Sequence, residues 1–318
     1  MASEPQGLQS EGGRGLGLGI AAYGIWGLFP LYWPLLEPSA SGDILANRMV
    51  WSLCVAVAIL TARRHWAWLR PLLRQPRRLA LTALAAAAIS VNWGVYIWGV
   101  NSGHVVETSL GYFINPLVTI GFGVLVLKER LRRAQWAAVG VGALAVAVLT
   151  VGYGRLPWIA LTLAFSFAVY GLLKKTVALG GLESFALETA FIFPFAVGFL
   201  VYRAATGHAV FGHGAGHLTL LMLTGPITAV PLLCFGAAAI RIPLSTMGLL
   251  QYLAPVFQFL CGVLYFHESM PPERWAGFAL VWAALVMLTW DAVRRLRAER
   301  PGAVAARPQP AAVPSSTR

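Results

Sequence analysis

The strongest constraint on this sequence is an internal duplication within its apolar segments. Residues 109–137 align without a gap to residues 248–276, with eight identities in 29 positions. A proline, a glutamate and a tryptophan recur at the same offset, which chance similarity between apolar runs would rarely produce. These pairs are Pro116 with Pro255, Glu129 with Glu268, and Trp136 with Trp275. A fixed period indicates a fold built from two copies of one unit.

Composition decides the environment of that fold. The chain is 58% hydrophobic and 11% charged, with a mean hydropathy of +0.69, whereas a soluble domain carries about 25% charged residues. The apolar runs have the length of about 20 residues that a helix needs to cross a bilayer. We therefore predict an all-α integral membrane protein with ten transmembrane helices, at residues 16–36, 44–62, 79–100, 105–127, 134–152, 157–175, 184–202, 217–238, 243–266 and 273–291.

The helices divide into two repeats of five, at 16–152 and 153–291, with polar stretches at 1–15 and 292–318 that we predict to be disordered. An odd number of spans inverts the second repeat relative to the first. With this topology, 20 of the 24 Lys and Arg residues lie on the side of both termini, which the positive-inside rule makes cytoplasmic. Inverted repeats are typical of alternating-access transporters.

Motifs of other protein classes are missing from the sequence. It has no P-loop, no HExxH, no GxSxG and no spacing typical of a metal site. We therefore expect no enzyme activity, no cofactor and no bound metal. The net charge of +12 is a signal of membrane topology, and we do not expect nucleic-acid binding.

Polar residues accompany the matched prolines. Pro116 and Pro255 each remove a helical hydrogen bond and are predicted to kink their helices beside a cavity. Simple packing kinks and hydrogen bonds between helices are the alternative interpretation. The residues predicted to line a substrate pathway recur at helical spacing and, in part, at matched positions of the two repeats: Asn92, Tyr96, Tyr112, Asn115, Thr119, Gln251, Tyr252 and Gln258.

Ionisable residues inside apolar spans usually mark function, because a charge at the bilayer centre costs about 2.5–3.5 kcal/mol on insertion scales. Arg48, Glu107 and Glu188 are such residues. We predict that Arg48 and Glu107 form an outer pair on the substrate pathway, and that Glu188 and Lys174 form an inner gate. All of them lie near span ends, so side chains that merely reach toward water remain the alternative. Glu129 and Glu268 are predicted to cap helices or pair with nearby basic residues.

Finer motifs indicate a family. ILANRMVWS at 44–52, NWGVYIWGVNSGHVVETSLGYFINPL at 92–117 and YGLLKK at 170–175 resemble RarD-type permeases, in the EamA branch of the drug/metabolite transporter superfamily. The resemblance covers roughly residues 16 to 291. It implies a bacterial inner-membrane permease with ten helices, in a branch commonly labelled by chloramphenicol sensitivity.

Together these features predict a secondary active transporter in the bacterial inner membrane, exporting small metabolites or drugs. A proton or ion gradient is the expected energy source, with Glu107 and Glu188 as the candidate proton carriers. An importer or facilitator of amino acids or related metabolites stays open, as does an accessory subunit without transport of its own. A lipid-modifying membrane enzyme would need clustered His, Asp or Cys at one interface, which the sequence lacks. A homodimer is also left open.

Overall fold

The computed structural model describes residues 6–125, 128, 133–208 and 214–299, and within these ranges it contains helices and no strand. In chain order the helices are α1 (Gln6–Gly27), α2 (Phe29–Tyr32, continued by a 3-10 turn at Trp33–Leu36), α3 (Ser41–Ala62), α4 (Leu69–Leu73), α5 (Pro76–Asn101), α6 (Val105–Leu125), α7 (Arg133–Tyr153), α8 (Trp158–Val177), α9 (Gly181–Ala205), α10 (Ala215–Ala239), α11 (Leu244–Leu250), α12 (Leu253–Leu260, continued by a π turn at Cys261–Tyr265) and α13 (Pro272–Glu299).

The predicted helix positions agree with the structure except at the two ends of the fold. Helix α1 begins at Gln6 and α13 continues to Glu299, so the prediction of disorder was wrong for residues 6–15 and 292–299. Eight helices are long and apolar enough to cross a membrane, and a ninth candidate is the pair α1 and α2, bent by 47° at Leu28. Among the described residues, helix α13 is not one of these candidates.

The two matched prolines have different effects on the backbone. Helix α6 runs through Pro116 without interruption. In the second copy the helix is broken at Gln251 and Tyr252, just before Pro255, so that α11 and α12 are separate. A proline cannot donate to the carbonyl four residues earlier, and Gln251 is that residue for Pro255. The predicted interruption of helical bonding is therefore visible in the second copy.

Helix packing mixes the two halves of the chain. Three main pairs join helices that hold the same place in the two predicted repeats: α3 with α9, α6 with α12, and α7 with α13. Each of the other main pairs corresponds to a second pair, formed by the helices at the same places in the other predicted repeat. The pair α6 and α8 corresponds to α1 and α12. The pair α5 and α8 corresponds to α1 and α10, and the pair α3 and α10 corresponds to α5 and α9.

Two glycines permit close approaches of backbone to backbone between the halves. A Cβ on Gly111 would lie 2.8 Å from the carbonyl oxygen of Ala160, where α6 meets α8, and one on Gly225 would lie 2.5 Å from that of Trp51, where α10 meets α3. Small residues at helix crossings are typical of membrane proteins, because close backbone approach maximises packing. This packing sets the positions of the polar side chains described next.

Candidate functional site

Arg48 lies at the centre of the candidate site. It is carried by α3, and its side chain is buried, with the residue 2% exposed. Its Nε donates a hydrogen bond to Thr228 Oγ1 on α10 at 2.9 Å. Thr228 donates its own hydroxyl proton to the carbonyl oxygen of Thr224, which leaves a lone pair free to accept from Arg48. A contact between α3 and α10 thus positions the guanidinium.

Three aromatic rings surround that guanidinium. Its carbon lies 3.9 Å from the ring centroid of Trp93, 5.3 Å from that of Trp33 and 5.6 Å from that of Phe29. Cation–π attraction reaches about 2 kcal/mol or more when the cation is withdrawn from water. We call this group, with Arg48 at its middle, the Arg48 cage. Its walls come from α2 with its 3-10 turn and from α5.

Two tyrosines and an asparagine adjoin the Arg48 cage. The hydroxyl of Tyr112 donates to Asn92 Oδ1 at 3.0 Å, and Asn92 Nδ2 donates to the carbonyl oxygen of Leu163 at 2.9 Å. Tyr96 packs edge-on against Tyr112, with ring centroids 5.7 Å apart. Tyr96, Phe29 and Trp33 share one buried cluster, against which Tyr112 packs. The structure therefore brings four predicted pathway residues together: Arg48, Asn92, Tyr96 and Tyr112.

Three further predicted pathway residues make other contacts or are exposed. Asn115 donates to the carbonyl oxygen of Ala164 at 3.1 Å, and buried Gln258 donates to that of Trp26 at 3.3 Å. Both contacts fit the alternative of hydrogen bonding between helices. Thr119 is exposed.

The break before Pro255 holds two more predicted residues. Gln251 is exposed. Tyr252 lines a mostly apolar cavity of about 370 Å³ between α6, α11 and α13, together with Phe113 and Trp282. The Arg48 cage belongs to a different buried cluster. Tyr252 therefore packs away from the Arg48 cage.

Glu107 is not the partner of Arg48, so that prediction was wrong. The Glu107 carboxylate, buried at the start of α6, accepts from Arg155 Nη2 at 2.7 Å and from the backbone N–H of Ile159 at 3.2 Å. Packing of α6 against α8 places the N-terminal end of α8 beside Glu107, and a helix N-terminus attracts a carboxylate. Arg48 turns instead toward α10.

A second buried ion pair was missed at the sequence level. Asp43, at the start of α3, is fully buried, and its two oxygens accept from Arg203 Nε at 3.0 Å and Nη2 at 2.9 Å. The fork of an arginine fits a carboxylate in this two-point manner. The available signal was weak. Asp43 lies one residue before the predicted span 44–62, and Arg203 lies one residue after the predicted span 184–202.

Glu268 caps helix α6. One carboxylate oxygen accepts from the backbone N–H of Val105, and the other accepts from that of Val106 at 3.0 Å. This confirms the predicted capping role. Burial raises the pKa of Glu268, and that effect exceeds the opposing effect of the two backbone donors. Its counterpart Glu129 lies outside the described residues.

The predicted contact between Lys174 and Glu188 is confirmed. Lys174 Nζ lies 3.3 Å from Glu188 Oε1. The same carboxylate accepts from the hydroxyls of Ser184 at 2.5 Å and Tyr170 at 3.0 Å, two donors that the sequence did not suggest. All four residues belong to α8 and α9.

Comparison with known proteins identifies the family. The model of the EamA-like transporter family matches residues 13–151. Protein RarD of Streptomyces exfoliatus is 63% identical over 308 residues, covering 96% of this chain and 98% of the relative. The chain belongs to the RarD-type permeases. Protein RarD of Escherichia coli is 40% identical over 281 residues, covering 88% of this chain and 95% of the relative.

A more distant relative carries a functional label. The chloramphenicol-sensitive protein RarD of Pseudomonas aeruginosa is 32% identical over 293 residues, covering 90% of this chain and 96% of the relative. A solved crystal structure superposes with a TM-score of 0.57 at 17% identity, covering 87% of this chain and 97% of that chain. That likeness bears on the fold alone.

The family and the apolar helices together define the general role. This RarD-type permease is a multi-pass bacterial membrane transporter, and its substrate is a small molecule. Among the described residues, no group of three or more His, Cys, Asp or Glu could hold a metal ion. The candidate site therefore consists of the Arg48 cage and the charged contacts at the two ends of the helices.

Proposed function

We propose that this permease is a secondary active transporter that exports small metabolites or drugs by alternating access. The observation that carries the proposal is the packing of its helices. Suppose that each helix is exchanged for the helix that holds the same place in the other predicted repeat. Every main packing pair then becomes itself or another main packing pair. A bundle with this internal symmetry has two related closed arrangements, one at each end, and exchange between them is alternating access.

The same symmetry supports ten spans arranged as two inverted repeats. The first repeat, residues 16–152, ends with α7, and the second, residues 153–291, ends with α13. Helices α7 and α13 pack against each other as equivalents, which gives α13 the place of the tenth span. Residues before and after these repeats would lie outside the transport unit.

Charged contacts distinguish the two ends of the bundle. One end, here called the Glu107 end, holds Asp43, Glu107 and Glu268, and its contacts join the first half of the chain to the second. The opposite end, here called the Glu188 end, holds Glu188 and Lys174. We assign the Glu107 end to the periplasm and the Glu188 end, with both termini, to the cytoplasm, because the link residues 63–78 at the Glu188 end are rich in arginine. In this assignment the periplasmic side is closed.

Energy coupling would use the buried carboxylates. Glu107 and Glu188 are each buried and each have a cationic partner, Arg155 and Lys174. Protonation would release that partner and loosen one end of the bundle. Replacing both glutamates by Gln is expected to abolish dependence of transport on a proton gradient. Transport that kept its full gradient dependence would exclude both residues as proton carriers.

Counterflow in proteoliposomes tests the transport proposal. Separate batches would be preloaded with amino acids, nucleosides or chloramphenicol, and uptake of the labelled compound would be followed against protein-free vesicles. Exchange of one class supports a transporter and identifies its substrate. Comparing right-side-out with everted membrane vesicles then gives the direction. A correctly folded, reconstituted protein that exchanges none of them would favour an accessory subunit without transport activity.

A further inference from the structure

The buried charges of the described residues do not balance at Arg48. Four charged side chains are buried: Asp43, Arg48, Glu107 and Glu188. Each of the three carboxylates has a cationic partner within 3.3 Å. Among the residues that the structure describes, no carboxylate contacts Arg48, whose side-chain hydrogen bond goes to the neutral hydroxyl of Thr228. A buried cation without a counter-ion is costly, so an anion would stabilise it.

Hydrogen-bond donors are also in surplus around this charge. Arg48 Nη1, Trp33 Nε1 and the Tyr96 hydroxyl are buried and have no hydrogen-bond partner. The arginine and tryptophan nitrogens can only donate, and the tyrosine hydroxyl can donate or accept. Buried polar groups normally find partners. A group that only accepts hydrogen bonds, and that carries a negative charge, complements all three.

The charge and the walls of the cage limit what that group belongs to. A carboxylate carries one negative charge and matches the fork of one arginine, whereas a phosphate monoester carries about −1.5 to −2 at neutral pH and would leave charge uncompensated. Phe29, Trp33 and Trp93 present aromatic surface on the sides of the guanidinium. Such surface favours an apolar body attached to the acid.

The geometry points to Arg48 as the binding group for the carboxylate of a small organic acid whose apolar body packs against Phe29, Trp33 and Trp93. The inference rests on the proposed transport function and adds the substrate class to it. Entry of the acid requires the cage to open, because Arg48 and Trp33 are almost fully buried in this closed arrangement. Tyr96 contributes a further donor to the same carboxylate.

Binding by the purified full-length protein in detergent micelles tests the inference without transport. The probe is radiolabelled 3-phenylpropionate, measured by scintillation proximity. Competitors of the same shape are its neutral amide, 3-phenylpropanamide, and the cation 3-phenylpropylamine. We expect saturable binding of the acid, with neither competitor displacing it at equal concentration. Displacement by chloride at that concentration would reveal a general anion site and overturn the assignment of an organic acid.

Variants then locate the site. Arg48→Gln should weaken binding of the acid at least about 30-fold, because it removes one member of a buried charge pair. Arg48→Lys keeps the charge but loses the fork and should retain part of the affinity. Tyr96→Phe removes one hydroxyl and should weaken binding about tenfold. The matched control is Arg63→Gln, which removes an exposed arginine and should leave binding unchanged.

The outcomes separate this inference from the transport proposal. Wild-type protein that fails to bind the acid at about 10 mM overturns the inference, as does equal affinity in a folded Arg48→Lys and Tyr96→Phe series. Counterflow of a neutral or cationic compound that survives Arg48→Gln would keep the transporter and remove the acid. Binding that depends on Arg48 without counterflow of any compound would keep the acid site and remove the transporter.

Discussion

The two ends of the bundle are held together in different ways. At the Glu107 end, three carboxylates link the halves of the chain: Asp43 to Arg203, Glu107 to Arg155, and Glu268 to the backbone at the start of α6.

At the Glu188 end, the buried network of Glu188 stays within α8 and α9. Contacts that cross between the halves there include the bond of Arg78 to the carbonyl oxygen of Val177 and the exposed pair of His65 with Glu183.

This difference indicates which end can open at lower cost. Breaking a buried ion pair by removing one partner costs about 3–5 kcal/mol, whereas an exposed pair contributes about 0–1 kcal/mol. Two of the three contacts between halves at the Glu107 end are of the first kind, those of Asp43 and Glu107. The pair of His65 with Glu183 is of the second kind. The Glu107 end is therefore the more strongly closed. The predictions below test that asymmetry.

The largest effect is expected from Arg203→Gln. It leaves the carboxylate of Asp43, which is fully buried, without its cation, and should lower the free energy of unfolding by about 2–4 kcal/mol, somewhat less than for a fully buried pair because Arg203 is 26% exposed. Unfolding in mixed micelles with SDS measures this change. Labelling of single cysteines placed at the Glu107 end should also become faster.

The control for Arg203→Gln is the double variant with Asp43→Asn. Removing the carboxylate as well should restore much of the lost stability, because no unpaired charge stays buried. A double variant that is as unstable as the sum of the two single variants would show that the ion pair makes no specific contribution. The Glu107 end would then be held by two stabilising contacts between the halves instead of three.

A smaller effect is expected at the other end from Lys174→Met. Glu188 would keep its hydrogen bonds from Ser184 and Tyr170, so the loss should be about 1–2 kcal/mol. Because this network does not join the halves, labelling of cysteines at the Glu107 end should not change. Faster labelling there would mean that the two ends are coupled through α8 and α9.

Glu268 provides a test by pH. Its pKa is raised by burial, so the folded protein binds its proton more tightly than the unfolded chain. Its contribution to stability is therefore fully present below the pKa of an unfolded glutamate, at about 4.3, and is lost as pH rises through the higher folded value. The wild-type melting temperature should thus fall more steeply between about pH 4 and pH 8 than that of Glu268→Gln. Parallel curves would contradict this assignment.

The helices could be predicted from sequence because their signal is local. Apolar runs of spanning length, bounded by polar links, give positions that agree with α3 and α5 to α12. The ends of α1 and α13 could not be predicted, since Gly-rich and Arg-rich flanks resemble disordered segments and nothing local reports that a helix continues. The duplication predicted matched prolines in two helices, but the break before Pro255 has no counterpart at Pro116.

The charged contacts were harder to predict, because they depend on which helix faces which. Lys174 and Glu188 lie on consecutive helices joined by a short turn, so the sequence alone brings them together. Arg48 and Glu107 share a depth in their spans, but depth does not specify direction around a helix. Arg48 contacts Thr228, 180 residues away. The sequence around Thr228 does not indicate that its hydroxyl will accept a hydrogen bond from a buried arginine.

The smallest effect is expected at the exposed contact between the halves, His65 with Glu183, at 2.7 Å. His65→Ala should change the free energy of unfolding by no more than about 0.5–1 kcal/mol, because His65 is 52% exposed and water already screens the pair. SDS unfolding in mixed micelles measures the change, and the neighbouring exposed residue Arg64, replaced by Ala, is the matched control. Since the pair of His65 with Glu183 is exposed, we expect cysteines at the Glu188 end to label faster in wild type than those at the Glu107 end, and His65→Ala should add little. A loss as large as that of Arg203→Gln would remove the asymmetry, because both ends would then be held by contacts of equal strength.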